Sequence, residues 1–287
     1  MGDRPTTCHP QKILDVTKTR TRKPTNFFLE KEGTLETESM KSYSQSRMDA
    51  ARPISQLSTR KPFIIACWNV RTMYECSKAA MIAREMNRYK IKILGLSETH
   101  WTGTGQLRLS TGELILFSGH KNPDATHSEG VAIMLPKESQ KSLLSWEAVN
   151  SRIITACFLT KKKDIKMNII QVYAPTNDAN ESEKDEFYNK LQEILDLQGN
   201  KHITILMGDA NAKVGDTNIG YERIMGQNGL GVMNENGERL ADLCMLNDLV
   251  IGGSIFPHKT VHKATWVSPD HTTENQIDHI CVSRSFR

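Results

Sequence analysis

Short apolar runs recur along the chain from Lys61 onward, and most have the length and composition of β-strands. Ile, Val, Phe and other β-favouring residues are enriched in these runs, which end in Gly, Pro, Asn, Asp or Ser. The runs predicted as strands are 63–70, 92–98, 113–119, 130–136, 143–149, 152–159, 166–176, 202–211, 249–252, 263–267 and 276–282. So many consecutive strands favour two sheets over one doubly wound sheet.

Three segments with a helical period lie between these strands. Residues 77–89 place apolar side chains at i, i+3, i+4 and i+7, with Ser77 as a candidate N-cap. Residues 181–197 combine an apolar side with acidic first turns, which suit the positive end of the helix dipole. A shorter helix is predicted after residue 235, with Asn236 as its candidate cap. Helices that pack on sheets predict a layered α/β fold.

Residues 1–60 differ from the rest of the chain. They are rich in Ser, Thr, Lys, Arg and Gln and have no sustained apolar period, so we predict a disordered leader. They hold 11 of the 37 Lys and Arg residues and 7 of the 33 Asp and Glu residues, so the formal net charge of +4 belongs to this segment. A basic flank beside an electroneutral domain over 61–287 fits a polyanionic partner.

Composition and cysteine spacing exclude several classes of protein. No run approaches the roughly 18 apolar residues of a membrane-spanning helix. The six cysteines form no C-x-x-C pair and no Cys/His spacing of a zinc site, and no signal peptide precedes them. The Gly- and Asn-rich stretch 226–237 lacks the lysine and the flanking elements of a P-loop. We expect a soluble protein with reduced thiols that is not secreted.

Polar residues stand at the ends of several predicted strands. They are Asn69, Glu98, Tyr173, Asp209, Asn211 and Asp278. Each alone has an ordinary structural explanation, such as a turn cap or an Asx-turn. Together they offer the hard oxygen ligands that Mg²⁺ or Mn²⁺ prefers, and such an ion commonly binds phosphate. A carboxylate beside an amide, as in Asp209 and Asn211, could orient a water and hold a phosphate oxygen, which points to phosphoryl cleavage.

Six short motifs contain these residues and follow one order along the chain. They are WNVRT (Asn69), LSETHW (Glu98), VYAPT (Tyr173), MGDANAKVG (Asp209 and Asn211), ATW (Thr265 and Trp266) and QIDHI (Asp278). In this order and spacing they resemble the endonuclease/exonuclease/phosphatase superfamily. The amino-acid sequences of these motifs are most similar to those of the endonucleases of RTE/BovB-type non-LTR retrotransposons.

The resemblance implies a DNase-like α/β fold, a four-layer sandwich of two face-to-face β-sheets with outer helices that lacks its last strand. It also implies hydrolysis of a DNA phosphodiester with Mg²⁺ or Mn²⁺ as cofactor. Glu98 and Asn69 are the implied metal ligands. Asp209 would orient or deprotonate the attacking water, and Asn211 and Tyr173 would contact the scissile phosphate.

The C-terminal motifs carry further implications. Thr265 and Trp266 match a motif near the DNA-facing rim and are implied substrate contacts. Asp278 matches a residue that, in the superfamily, orients a catalytic histidine of a later Ser-Asp-His motif, and this sequence does not contain that motif. His279 is not expected to replace that histidine, because successive residues of an extended strand point to opposite faces.

We therefore expect a truncated copy with low activity. Losing a group that stabilises charge in the transition state costs ~10²–10³ in rate, and losing acid–base help costs ~10²–10⁴. A missing strand with about three inward side chains would remove roughly 5–9 kcal/mol of burial. Typical total stability is only ~5–15 kcal/mol. The neighbouring strand would also present an open edge.

Two other functions remain open at this point. The chain could be a non-catalytic, domesticated DNA-binding or interaction module that acts through its basic leader. Salt-dependent DNA binding without nicking would favour this alternative. The chain could also be an abasic-site repair-type nuclease, which shares the motifs and differs in its substrate loops. A DNA substrate and the lack of export signals favour a nuclear or cytoplasmic location.

Overall fold

Alternating apolar positions along the strands build two β-sheets whose buried faces meet. The computed structural model of the chain describes residues 12–15, 63–122, 128–199 and 201–286. In this part of the chain the two large sheets have six strands each, and helices lie on their outer faces. The predicted sandwich of face-to-face sheets with outer helices is confirmed.

The strands are numbered in chain order. From edge to edge, the first sheet contains β1 (Lys12–Asp15), β2 (Ile64–Asn69), β3 (Ile91–Ser97), β6 (Val131–Leu135), β5 (Leu114–Ser118) and β4 (Thr104–Arg108). The second sheet contains β11 (Leu249–Ile251), β14 (Asp278–Ser283), β10 (Ile203–Asp209), β9 (Lys166–Tyr173), β8 (Ile153–Leu159) and β7 (Leu143–Asn150). A separate hairpin consists of β12 (Trp266–Val267) and β13 (Glu274–Asn275).

Helices connect these strands in the described part of the chain. The α-helices are α1 (Cys76–Arg88), α2 (Lys137–Gln140), α3 (Glu181–Asp196) and α4 (Glu235–Leu246). Single 3-10 turns cover Gly252–Ser254, Thr260–His262 and Arg284–Phe286. Helices α3 and α4 cover the second sheet and α1 covers the first, which completes the four layers.

Strand β9 shows how the sequence pattern places side chains in layers. Met167 and Ile169 point between the sheets and join a buried cluster contributed by both. Ile170 and Val172 point the other way, into a cluster with α3 and α4. The period of two along a strand therefore decides which residues line the interior. Tyr173, at the carboxyl end, returns to the interior face.

Helix α1 packs on the first sheet through the apolar face that its sequence period predicts. The buried side chains of this face are Ala79, Ile82, Ala83 and Met86. The helix begins at Cys76, and Glu75 takes the N-cap position. Ser77 lies inside the first turn, so its prediction as the N-cap is wrong.

Asn234, not Asn236, caps helix α4. The Asn234 Oδ1 atom accepts hydrogen bonds from the backbone N–H of Gly237 and that of Lys213, both at 2.8 Å. An N-cap side chain characteristically accepts from an N–H two or three residues later, and Gly237 meets that spacing. Asn236 is buried in the first turn, where its Nδ2 donates to the Pro175 carbonyl at 3.0 Å.

Several strands differ in extent from their predictions. The strand predicted over 166–176 ends at Tyr173, and Pro175, which has no N–H, cannot continue the ladder. The strand predicted over 263–267 is reduced to β12, because the chain enters it from the 3-10 turn at Thr260–His262. Strand β4 was not predicted, since its side chains are mostly exposed and lack an apolar pattern.

Most of the predicted leader lies outside the described residues. Within it, Lys12–Asp15 forms β1 and pairs antiparallel with β2, with Ile13 opposite Ala66. The sequence pattern does not predict this strand. In the described ranges, no helix is both long enough and apolar enough to cross a lipid bilayer.

Candidate active site

The predicted site residues gather at one edge of the two sheets. Strands β2 and β3 are parallel, as are β9 and β10, so the carboxyl ends of each pair lie side by side. Asn69 ends β2, and Glu98 follows the end of β3. Tyr173 and Asp209 end β9 and β10 and are register partners. The first sheet thus supplies one half of the site and the second sheet the other.

Asn69 joins the two halves. Its Nδ2 atom donates to Oε1 of Glu98 at 2.6 Å and to Oδ2 of Asp209 at 2.9 Å. Its Oδ1 atom accepts from the backbone N–H of Arg71 at 2.9 Å. One amide nitrogen therefore lies between two carboxylates that come from different sheets. This arrangement holds the two acidic groups close together at the mouth of the sandwich.

Left-handed backbone conformations accompany two of these residues. Glu98 has φ +56° and Asn211 has φ +48°, a region that non-glycine residues seldom adopt. Asn211 is held there by its backbone N–H, which donates to Oδ1 of Asp209 at 3.1 Å. Its Nδ2 atom donates to the Ala174 carbonyl at 2.9 Å. Such sparsely populated conformations cluster at functional sites, where surrounding contacts maintain them.

Tyr173 is fixed from two sides. Its phenol lies near the carboxylate of Glu98, whose negative charge adds to the effect of burial in raising the pKa of the phenol. The guanidinium carbon of Arg152 lies 5.4 Å from the centroid of the Tyr173 ring, within cation–π range. Arg152 is itself held by ion pairs to Glu129 at 2.8 Å and Glu183 at 2.7 Å. The tyrosine hydroxyl is thereby directed toward the acidic pair.

Burial and crowding of negative charge change the titration of two groups. The pKa of Asp209 is raised to about 6, chiefly by burial and further by the negative charge of Glu98, while hydrogen bonds from Asn69 and Asn211 oppose the rise. The pKa of Tyr173 is raised above its ordinary value by burial and by the nearby carboxylates Glu98 and Asp209. The site therefore holds a carboxyl group that titrates near neutral pH and a phenol that keeps its proton.

Asp278 lies beside Asp209 at the start of β14. The two are register partners across the antiparallel β10–β14 pair, and the Asp278 side chain is almost completely buried. Thr265 supports this position, because its Oγ1 accepts from the backbone N–H groups of Ile277 at 3.0 Å and Asp278 at 3.2 Å. Trp266 is half-buried in β12. Direct contact of Thr265 and Trp266 with a substrate stays a prediction.

His279 faces the opposite side of the second sheet from Asp278. Its Nε2 atom lies 2.7 Å from the carbonyl of Ala212, and the ring borders a small cavity with Tyr188 of α3. The prediction that His279 points away from the site is confirmed. The alternation of side chains along β14 is the reason.

The carboxylate and amide oxygens at this site suit a small divalent cation as ligands. Among residues 63–122, 128–199 and 201–286, no three side chains of His, Cys, Asp or Glu stand together as a complete metal cage. Mg²⁺ is commonly held by one or two carboxylates, and water and phosphate oxygens complete its coordination. The Glu98 carboxylate is a ligand of this kind. Asn69 turns its amide nitrogen toward Glu98 and Asp209, so its oxygen would join Glu98 as a ligand only after the side-chain amide turns over. These hard oxygens fit Mg²⁺ or Mn²⁺ better than Zn²⁺, which prefers His and Cys.

Three residues near the site were missed by the sequence reasoning. Ser97 and Gln171 connect the two sheets directly behind the site, and Arg152 holds Tyr173. A polar Gln171 in the otherwise apolar run IIQVY was a visible signal. Arg152 gave none, because nothing in its flanking sequence distinguishes it from a surface arginine.

Comparison with known proteins supports the fold. The chain is 36% identical over 244 residues to craniofacial development protein 2 of Tragulus javanicus, which covers 85% of this chain and 41% of that protein. The same protein of Bos taurus is 36% identical over 244 residues, with 85% of this chain and 40% of that protein covered. The chain thus spans about two fifths of the length of these curated relatives. No family model matches the sequence.

Solved structures with the same fold include two endonucleases and a phosphatase. The AP endonuclease LMAP from Leishmania major has TM-score 0.53 and 14% identity, over 77% of this chain and 79% of that one. A 3′ phosphatase, NExo from Neisseria, bound to a product DNA hairpin, has TM-score 0.51 and 16% identity, over 77% and 86%. The endonuclease domain of TRAS1, a telomere-specific non-LTR retrotransposon, has TM-score 0.50 and 13% identity, over 78% and 86%. The chain is therefore similar to craniofacial development protein 2 over 85% of its own length and has the fold of these endonuclease and phosphatase structures.

Proposed function

We propose that this chain is a divalent-metal-dependent DNA endonuclease of retrotransposon origin, which hydrolyses a backbone phosphodiester. The observation that carries the proposal is the contact of Asn69 with both Glu98 and Asp209, which joins groups from separate sheets at one rim. The solved structures with this fold include an AP endonuclease, a phosphatase and a retrotransposon endonuclease, which agrees with this chemistry.

Glu98 and Asn69 would hold the metal ion. When bound, Mg²⁺ supplies a Lewis acid that draws electron density from a phosphate oxygen. Glu98 and Asn69 are both partly exposed at the mouth of the sandwich. The Asn69 side-chain amide would have to turn its oxygen, which now accepts from the Arg71 N–H, toward the ion. The negative charge of the two neighbouring acids would otherwise repel a DNA phosphate, so the cation is needed for substrate approach as well as for chemistry.

Asp209 is the proposed base. It is buried, 2.9 Å from the Asn69 amide nitrogen, and its pKa is raised to about 6. A base with a pKa near the working pH combines a sufficient ionised fraction with good proton affinity. Asp209 would accept a proton from the attacking water as the water oxygen bonds to phosphorus. The bond between phosphorus and the leaving sugar oxygen breaks in the same displacement, and that oxygen takes up a proton from solvent.

Asn211 and Tyr173 are the proposed phosphate contacts. An amide nitrogen carries two N–H bonds, and the Ala174 carbonyl uses one from Asn211. The Tyr173 hydroxyl keeps its proton and can donate it to a phosphate oxygen. Thr265 and Trp266, which lead into the β12–β13 hairpin beside Asp278, would contact flanking DNA.

The test is nicking of supercoiled plasmid by the purified chain with Mg²⁺. We expect relaxed circles to form slowly, because the Ser-Asp-His motif is absent from this sequence, with no reaction in EDTA and no reaction with Glu98→Ala. The exposed Glu147, on the far edge strand β7, offers a matched control, and Glu147→Ala should nick like the parent. Nicking that persists in Glu98→Ala would contradict the proposal.

The same assay separates the other functions. Cleavage restricted to duplexes with an abasic site would indicate a repair-type nuclease. Salt-dependent DNA binding that is undiminished in a Glu98→Ala/Asp209→Ala variant, with no nicking by the parent, would indicate a non-catalytic binding module. A DNA substrate implies that the protein works in the nucleus, which microscopy of a tagged chain would check.

A further inference from the structure

A hydrogen-bonded bridge crosses the sandwich directly behind the candidate active site. Nε2 of Gln171, on β9, donates to Oγ of Ser97, on β3, at 3.0 Å. The Ser97 hydroxyl donates to the carbonyl of Val172 at 3.0 Å, and Gln171 Nε2 lies 3.2 Å from the same carbonyl. Ser97 belongs to the first sheet and the other two residues to the second. We call this set the Ser97–Gln171 bridge.

The bridge is one residue away from the site on both sheets. Ser97 precedes Glu98 in the chain and is the register partner of Asn69. Val172 precedes Tyr173 and is the register partner of Gly208, which precedes Asp209. The bridge therefore ties the two halves of the site together at the level where their side chains emerge.

The sequence makes room for the bridge. Gln171 is completely buried in the interior between the sheets, where the neighbouring inward residues of β9 are apolar. A Cβ atom on Gly95 would overlap Oε1 of Gln171, and a Cβ on Gly208 would come within 2.8 Å of its Nε2. Two glycines facing one buried amide are the reason that a long polar side chain fits between the sheets.

Stability alone does not account for Gln171. Among the described residues its Oε1 has no hydrogen-bond partner, and a buried polar atom without a partner costs stability. An apolar side chain of the same shape would avoid that cost. A polar group kept at such a position is typical of residues retained for function.

We propose that Gln171 and Ser97 are positioning residues, which set the separation between the metal-binding half of the site, Asn69 and Glu98, and the half with Asp209 and Tyr173. This inference rests on the proposed function. Displacing a reacting group by about 1 Å can cost ~10²-fold in rate. Loss of the bridge should therefore act on kcat, whereas DNA binding and metal binding, which use surface groups and a single sheet, should change little.

The experiment compares Gln171→Met and Ser97→Ala with the parent chain and with Ile169→Val. Ile169 points into the same interior from the same strand, so its truncation is a matched packing control. For the two bridge variants we expect kcat for plasmid nicking to fall about 10- to 100-fold. We expect KM for DNA and the affinity for Mn²⁺ alone, measured by calorimetry, to stay at parent values. The thermal midpoint of Gln171→Met should equal or exceed that of the parent.

Ile169→Val should show the reverse pattern, a lower thermal midpoint with parent kcat. Gly95→Ala pushes Gln171 off Ser97, so it should also lower kcat. Its effect should not add to that of Gln171→Met, since both break one bridge.

Three results would overturn the inference. If the bridge variants had the same kcat as the parent chain, the positioning role would be ruled out and the nuclease proposal would still stand. Bridge variants whose kcat falls only in proportion to their thermal midpoint would assign the bridge to packing. A parent chain without Glu98-dependent nicking would remove the proposed function, and the positioning role with it.

Discussion

Asn69 and Asp209 are 140 residues apart in sequence, yet Nδ2 of Asn69 lies 2.9 Å from Oδ2 of Asp209. The same nitrogen contacts Glu98 at 2.6 Å. A neutral donor between two carboxylates lowers their mutual repulsion, because each acid gains a hydrogen bond. The Asn69 amide thus donates a hydrogen bond to each of the two acids.

The substitution Asn69→Asp tests this relationship, because it replaces the amide donor by a third carboxylate. In Asn69→Asp, three carboxylates would meet, and like charges about 4 Å apart repel by roughly 4 kcal/mol at an effective dielectric constant of 20. We expect the free energy of unfolding at pH 8 in EDTA to fall by about 2–4 kcal/mol. Urea titrations at pH 8 and pH 5 check this, and the loss should shrink at pH 5, where Asp209, with a pKa of about 6, takes up a proton.

Asn69→Ala is the companion variant, since it removes the donor without adding charge. It should be more stable than Asn69→Asp at pH 8. Equal stability of the two variants at that pH would contradict the account of Asn69 as a bridge between acids.

The buried negative charge of Asp209 should lower the free energy of unfolding at the pH at which Asp209 acts as a base. Its pKa in the folded chain is raised to about 6 from an ordinary 3.8, so the folded state binds the proton more tightly than the unfolded state. The stability that this group contributes is full below the unfolded pKa and is lost as pH rises through about 6. Above that pH the buried charge costs the folded chain roughly 2–3 kcal/mol.

The substitution Asp209→Asn removes both the cost of burying this negative charge and the proposed catalytic base. We expect the free energy of unfolding at pH 8 in EDTA to rise by on the order of 1–3 kcal/mol, the gain to vanish near pH 4, and nicking to be lost. The exposed Asp178 gives a control, and Asp178→Asn should change neither quantity. An Asp209→Asn chain less stable than the parent at pH 8 would contradict the raised pKa.

Tyr173 should act as a hydrogen-bond donor without titrating. Burial and the nearby carboxylates raise the pKa of its phenol above the ordinary value, so it stays protonated at alkaline pH. Removing a donor to a developing negative charge costs about 10²–10³ in rate. We expect Tyr173→Phe to lower kcat by about 10²-fold, and the parent rate to show no alkaline decline from this group up to pH 10.

Tyr221 provides the matched control for that variant. The Tyr221 hydroxyl donates to the carboxylate of Asp242 at 2.7 Å, and Tyr221 lies in the loop before α4, away from the predicted site residues. Tyr221→Phe should leave kcat at the parent value. A similar loss in both variants would show that the rate depends on general stability and not on the Tyr173 hydroxyl.

The sequence alone predicted those features that repeat or that stand at strand ends. Apolar runs of β-favouring residues marked most strands of both sheets, because their buried faces require such residues. Polar residues that follow these buried runs, such as Asn69 and Asp209, could be recognised as site candidates because they break the apolar pattern. Their convergence followed from parallel pairing, which brings carboxyl ends to one edge.

Features that depend on tertiary contacts were not predictable. Strand β4 is mostly exposed and has no apolar signal. The choice of Asn234 over Asn236 as the α4 cap is decided by which side chain reaches Gly237, and both residues suit a cap by type. The partnership of Ser97 with Gln171 joins positions 74 residues apart, and no local pattern links them.

The last prediction concerns Thr265, whose side chain supports the site by hydrogen bonds with the backbone. Its Oγ1 accepts from the N–H groups of Ile277 and Asp278 at 3.0 and 3.2 Å, at the point where β14 begins beside β10. In Thr265→Ala both N–H groups lose their acceptor, and an unsatisfied buried donor costs ~1–3 kcal/mol. We expect a loss of roughly 2–4 kcal/mol in the free energy of unfolding and faster hydrogen exchange at both amides. Thr265→Ser keeps the hydroxyl and should restore both. If Thr265→Ser were as unstable as Thr265→Ala, the methyl group would be the stabilising part and the hydroxyl contact would not matter.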